Sequence, residues 1–87
     1  MGIYGKVYTM KKTIPAEHKK RLNDLGCYLR ENRFSEGLTI SDVADDLNLH
    51  KNTIARAEHG YNMTLTSIFL LADYYQIPIH QFFADIK

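Results

Sequence analysis

Two groups of residues in this sequence have side chains suited to chemistry. The first is four histidines, His18, His50, His59 and His80, with one cysteine, Cys27. As metal ligands they fail on spacing, because structural zinc sites repeat their ligands at short fixed intervals and Cys27 has no second thiolate beside it. No metal and no other cofactor is expected. As a nucleophile paired with histidine, Cys27 lacks a Gly-rich oxyanion loop, and a lone cysteine in a helical run is usually a small packing residue. No catalytic constellation remains, so the sequence does not read as an enzyme. The second group is Lys51, Asn52, Thr53 and Arg56. It places an ammonium, an amide, a hydroxyl and a forked guanidinium within six residues. Taken alone, such residues most often form a solvated helix face; in a suitable frame they form a recognition surface.

Helices must supply that frame. From Thr13 onward the apolar spacing is helical. Pro15 suits a first turn, and His18, Leu22, Leu25 and Leu29 fall on one face of a helix running to about Phe34, closed by Gly37. Thr39 or Ser41 can cap a second helix with Ile40, Val43, Ala44 and Leu47 inward. A short polar helix spans about 50–59, with Ile54 and Ala57 inward and Gly60 as its stop. Thr64 caps a fourth helix, with Leu65, Ile68, Phe69, Ala72 and Tyr75 expected inward. Pro78 opens a fifth, bearing Ile79, Phe82, Phe83 and Ile86 at i, i+3, i+4 and i+7. The fold class is therefore all-α, one domain over residues 13–87, with no repeat or low-complexity tract. Residues 1–12 stand apart, with β-favouring residues broken by Gly5. Three readings compete there: a mobile arm, a strand pairing with a partner chain, and a leader upstream of Met10.

The segment from Ile40 to Ala57 is more specific than an amphipathic pair. Two helices crossing steeply through a tight turn need a small residue at the crossing, and Ala44 supplies it. The turn needs a residue that tolerates positive φ, and Asn48 is the best substitute for glycine. Val43, Leu47, Leu49, Ile54 and Ala57 can pin both helices. Lys51, Asn52, Thr53 and Arg56 leave the outer face of the second helix polar.

With these residues in place, the sequence resembles the helix-turn-helix domains of the Xre/Cro type, the family of the lambdoid phage repressors. The resemblance runs from about Leu22 to Phe83. Leu29-Arg30-Glu31-Asn32-Arg33 resembles the end of the family's first helix, and Gly37-Leu38-Thr39 its entry to helix two. The run from His50 to Gly60 is similar to its recognition helix with a terminal Glu-x-Gly. Leu65 to Ala72 and Ile77 to Phe83 resemble helices four and five. The resemblance implies a five-helix, lambda-repressor-like DNA-binding domain with the helix-turn-helix at helices two and three. It implies that Lys51, Asn52 and Arg56 read base edges in the major groove. Their chemistry fits, since Arg or Lys pairs with guanine O6 and N7 and Asn with adenine. It further implies phosphate contacts from His50, Thr53, His59 and Asn62, and an ion pair between Arg33 and Glu58. The family's glutamine at the start of helix two is Ile40 here, so that phosphate contact is either absent or supplied by Ser41. Its loop proline is Met63, and the acidic Asp42, Asp45 and Asp46 are expected to face away from phosphates.

Charge is asymmetric behind a near-neutral total of +1. Lys6, Lys11, Lys12, Lys19, Lys20 and Arg21 face only Glu17 in residues 1–21, a local +5, while the remainder carries −4. A polyanion feels local charge rather than the sum, although such runs also serve solubility alone. With 87 residues the chain is expected to hold one compact core and no fused sensor domain. One cysteine suggests no oxidising compartment, and no apolar run spans a membrane or resembles a signal peptide, so the expected location is cytoplasmic. Tyr74, Tyr75, Phe82, Phe83 and Ile86 offer aromatic and apolar surface for the core or for a homodimer interface. The leading expectation is a sequence-specific transcriptional regulator, a repressor acting as a homodimer on palindromic double-stranded DNA. The alternative is an antitoxin-like or regulator-binding module whose main surface faces a protein partner.

Overall fold

Pro15 opens the first helix, and its carbonyl accepts from the His18 and Lys19 N–H groups at 3.0 and 2.9 Å. The computed structural model describes residues 15–84. The expected arm at residues 1–12 and Ile86 lie outside the described residues. Five helices follow in order: α1 Ala16–Ser35, α2 Ile40–Leu47, α3 Lys51–Glu58, α4 Leu65–Tyr74 and α5 Ile79–Phe82. Among the described residues there is no strand, and none of the helices is long and apolar enough to cross a membrane.

Side-chain caps set two of the starts. Thr39, not Ser41, caps α2: its hydroxyl accepts from the Asp42 N–H at 3.0 Å, and the Asp42 carboxylate accepts from the Thr39 N–H at 2.9 Å. This reciprocal box satisfies two donors that the helix end would leave open. Thr64 caps α4, accepting from the Ser67 N–H at 3.1 Å.

The first four helices stop by one device. Gly37, Asn48, Gly60 and Gln76 each take a left-handed conformation, at φ of 69°, 56°, 83° and 58°. The next N–H then reaches back five residues: Leu38 to Arg33, Leu49 to Ala44, Tyr61 to Arg56 and Ile77 to Ala72, all between 2.8 and 3.1 Å. Carbonyls that a helix end would orphan are thereby satisfied. Gln76 takes this conformation at a steric cost of about 1–2 kcal/mol.

The core is Leu25, Leu29, Val43, Ala44, Ile54, Ala57, Leu71, Ala72 and Phe82. Tyr28 meets the buried Phe82 ring edge-on, at 6.0 Å between centroids. Several residues expected inward are not. His18 is exposed with the rest of the first turn of α1, which no element among the described residues buries, and its Nδ1 lies 3.2 Å from Arg21 Nη1. Leu65 and Phe69 are 60% and 45% exposed, while Leu71 is buried. The inward stripe of α4 is Ile68, Leu71, Ala72 and Tyr75, the same helical spacing started one turn later. Helix α5 is a single turn, so Phe82 enters the core while Ile79 and Phe83 stay about 40% exposed. Tyr74 and Tyr75 are half-buried. Met63 is half-buried against the core and fills the loop before α4.

Candidate nucleic-acid interface

Helix α3 is fastened by one side and open on the other. Ile54, Ala57 and Glu58 are buried. Gly26 of α1 lies so close that a Cβ there would sit 2.5 Å from the Glu58 carbonyl oxygen and 2.7 Å from that of Ala57. Two backbones therefore touch with no side chain between them. Gly60 packs as tightly, since a Cβ on it would overlap the Asn23 side chain.

A charged clamp reinforces this seam. Arg33 grips the Glu58 carboxylate with both arms of its fork, Nε to Oε2 at 2.7 Å and Nη2 to Oε1 at 2.9 Å. Arg33 is 8% exposed and Glu58 4%. The remaining Arg33 nitrogen, Nη1, donates to the Leu38 carbonyl at 3.0 Å, so one side chain ties α1, the α1–α2 turn and α3. The bond to Glu58 holds the Arg33 pKa above its ordinary value. Arg30 adds a donor to the Glu58 backbone carbonyl at 3.1 Å. The Tyr75 hydroxyl is buried with no hydrogen-bond partner among the described residues, and burial, with the Glu58 charge second, pushes its pKa up to about 12.

The open side carries the polar set. Lys51, Asn52 and Arg56 are exposed and Thr53 is half-buried. Asn52 and Arg56 lie one turn apart, so their side chains are neighbours along the helix. His50 is the exposed residue before the first turn of α3, and its side chain makes no cap bond. His59 follows the last turn and donates from Nδ1 to the Ala55 carbonyl at 2.7 Å. In that tautomer Nε2 of the neutral ring is an acceptor, so the ring can donate to an anion only when protonated on both nitrogens. A shallow cleft brings together Thr53, Arg56 and Asn62 with Met63, Thr64 and Ser67. The Arg56 guanidinium lies 4.5 Å over the Tyr61 ring. Ser41 is half-buried in the first turn of α2, away from this set in sequence.

The acidic residues of α2 are largely engaged within the fold. Asp42 closes the cap box, and Asp46 accepts from the Tyr74 hydroxyl at 2.6 Å. That bond, more than burial, pushes the Tyr74 pKa up to about 12. Within the basic stretch, Lys20 is paired with Asp24 at 2.9 Å. Among the described residues, no three of His, Cys, Asp and Glu gather where they could hold a metal ion.

The sequence reading did not single out Gly26, Arg30, Tyr61, Thr64 or Ser67 for this site. Arg30 stands one turn before Arg33 and Tyr61 immediately follows the helix-stopping Gly60, so position along the chain could have flagged both.

The α2–α3 pair, turned at Asn48 and locked to α1, lies within the stretch that matches a family model. The model is that of the helix-turn-helix, of the Cro/C1 type, and it matches residues 29–82. The chain belongs to that family. Its helix-turn-helix is α2 and α3, and the family is one of DNA-binding domains rather than enzymes. No curated protein and no solved structure matches this helix-turn-helix chain.

Proposed function

We propose that this helix-turn-helix protein is a sequence-specific transcriptional repressor working in the cytoplasm, with α3 in the major groove of double-stranded DNA. One observation carries the reading: α3 is locked to the core through Ile54, Ala57 and Glu58 while Lys51, Asn52 and Arg56 stand exposed. A rigid helix with solvent-facing bidentate donors suits base-edge recognition, which rewards fixed geometry. Ser41, His50, Thr53 and Asn62 contact phosphates, as does His59 when both its ring nitrogens carry protons, and these contacts set the register of α3 on the duplex. The N-terminus of α3 adds free N–H groups and the positive end of its dipole. Apolar residues left exposed on α4 and around α5, Leu65, Phe69, Ile79 and Phe83, support a homodimer. A dimer of this kind reads two half-sites about 34 Å apart on a palindromic operator.

Selection of bound duplexes from a random double-stranded library tests the proposal. The expected result is an enriched pair of inverted half-sites, with Arg56→Ala costing ~1–3 kcal/mol and relaxing preference at one base pair. Enrichment of no sequence, or an unchanged preference in Arg56→Ala, rejects base reading by α3. Retention of a stoichiometric protein partner with no retention on DNA at low salt selects the protein-facing alternative.

A further inference from the structure

We infer that Tyr61 is a specificity-determining positioning residue, a stacking platform that aims the Arg56 guanidinium; this rests on base reading by α3. Arg56 is exposed, and among the described residues no carboxylate pairs with it. Its contact is the Tyr61 ring, 4.5 Å from the guanidinium carbon to the ring centroid.

The helix stop creates this contact. Gly60 turns left-handed at φ 83°, and the Tyr61 N–H bonds back to the Arg56 carbonyl at 2.9 Å. This bond pins the Tyr61 backbone to residue 56 itself, and helix ends of this type bring together the side chains of the two residues so joined. At the three matching stops the later residue is aliphatic: Leu38, Leu49 and Ile77. Only here is it an aromatic ring, and only here is its partner an exposed arginine. Tyr61 itself is 50% exposed, more than a ring kept for core packing. Arginine carries large rotamer freedom and gives up part of it on binding. A guanidinium already held over a ring face has part of that ordering done in the free protein, and stacking leaves its N–H edge in plane and available.

The test uses the full chain, a random duplex library, and single-base variants of the enriched duplex. Tyr61→Leu is expected to reduce discrimination about 2- to 5-fold at the base pair whose preference Arg56→Ala erases. Discrimination at other pairs and the salt slope stay unchanged. Tyr61→Phe, which keeps the ring, retains wild-type discrimination. In an Arg56→Ala background, Tyr61→Leu has no further effect at that pair. A uniform loss of affinity across sequences, or an equal effect without Arg56, overturns the proposal. Ring-current shifts on the Arg56 side-chain protons of the free protein, lost in Tyr61→Leu, read the stack without DNA. Their absence overturns the proposal even if α3 reads bases, whereas their presence beside an unselective library rejects base reading instead.

Discussion

Replacing Glu58 with alanine would remove two charge-assisted hydrogen bonds, at 2.7 and 2.9 Å, and leave Arg33 only 8% exposed. The guanidinium would keep its bond to the Leu38 carbonyl at 3.0 Å but lose its counter-charge. Breaking one partner of a buried pair costs about 3–5 kcal/mol, against about 0–1 for an exposed pair. At roughly 0.05–0.15 kcal/mol per residue the whole domain is stabilised by about 4–13 kcal/mol, so the change removes a quarter of that or more. Each kcal/mol shifts the midpoint of a domain this size by about 4–8 °C, which places the expected loss at about 12 °C or beyond. Urea unfolding followed by far-ultraviolet circular dichroism measures it. Arg33→Met with Glu58→Leu should recover much of the loss, because no charge is then left buried. A cost for Glu58→Ala below about 1 kcal/mol, or one that vanishes in about 1 M salt, would refute the reasoning, because only a solvated pair behaves so.

Gly26→Ala forces a methyl group against the Ala57 and Glu58 carbonyls, and should destabilise the domain by about 1–3 kcal/mol in the same unfolding assay. Tyr75→Phe removes a buried hydroxyl with no partner among the described residues and should raise stability by about 1 kcal/mol or more; a lowered melting midpoint would contradict it. The Asp42 carboxyl is held below its ordinary pKa by the Thr39 backbone N–H and then by the Thr39 hydroxyl. A depressed folded pKa contributes stability above the unfolded value and loses it as pH falls through the folded one. Melting midpoints of wild type and Asp42→Asn should therefore differ at neutral pH and converge in acid, below the ordinary carboxylate range.

Much of the frame was legible because it depends on local rules. Gly37, Asn48 and Gly60 advertise left-handed stops by residue type, whereas Gln76 does not. Its conformation is imposed by the Ile77 N–H reaching back to Ala72. Helix α4 misled for a different reason. Leu65, Ile68, Phe69, Leu70, Leu71 and Ala72 make it apolar nearly all round, so periodicity cannot say which stripe turns inward, and the observed stripe starts at Ile68 rather than Leu65. His18 fitted the α1 stripe by spacing alone, but that spacing says nothing about whether a neighbouring element is present to bury it. Gly26 was silent because a glycine inside a helix announces no turn; its reason lies about 30 residues on, at Ala57 and Glu58. At the site, the polar residues of α3 could be read from type and spacing. Tyr61 carries no mark in the helix period, because its contact with Arg56 is made by the chain reversal after the helix; only its place directly after Gly60 signals it.

The bare contact at Gly26 has a consequence beyond stability. A side chain between two helices can change rotamer and let one tilt against the other; two backbones in contact have no such cushion. If α3 enters the groove as proposed, a helix mounted in this way leaves accommodation between protein and DNA to the duplex. Steps that unstack or bend at low cost, pyrimidine–purine steps above all, then gain preference at base pairs that no side chain reaches. On the proposed reading, the missing methyl group of one glycine, on a helix far from α3 in sequence, extends selectivity into the flexibility of DNA itself.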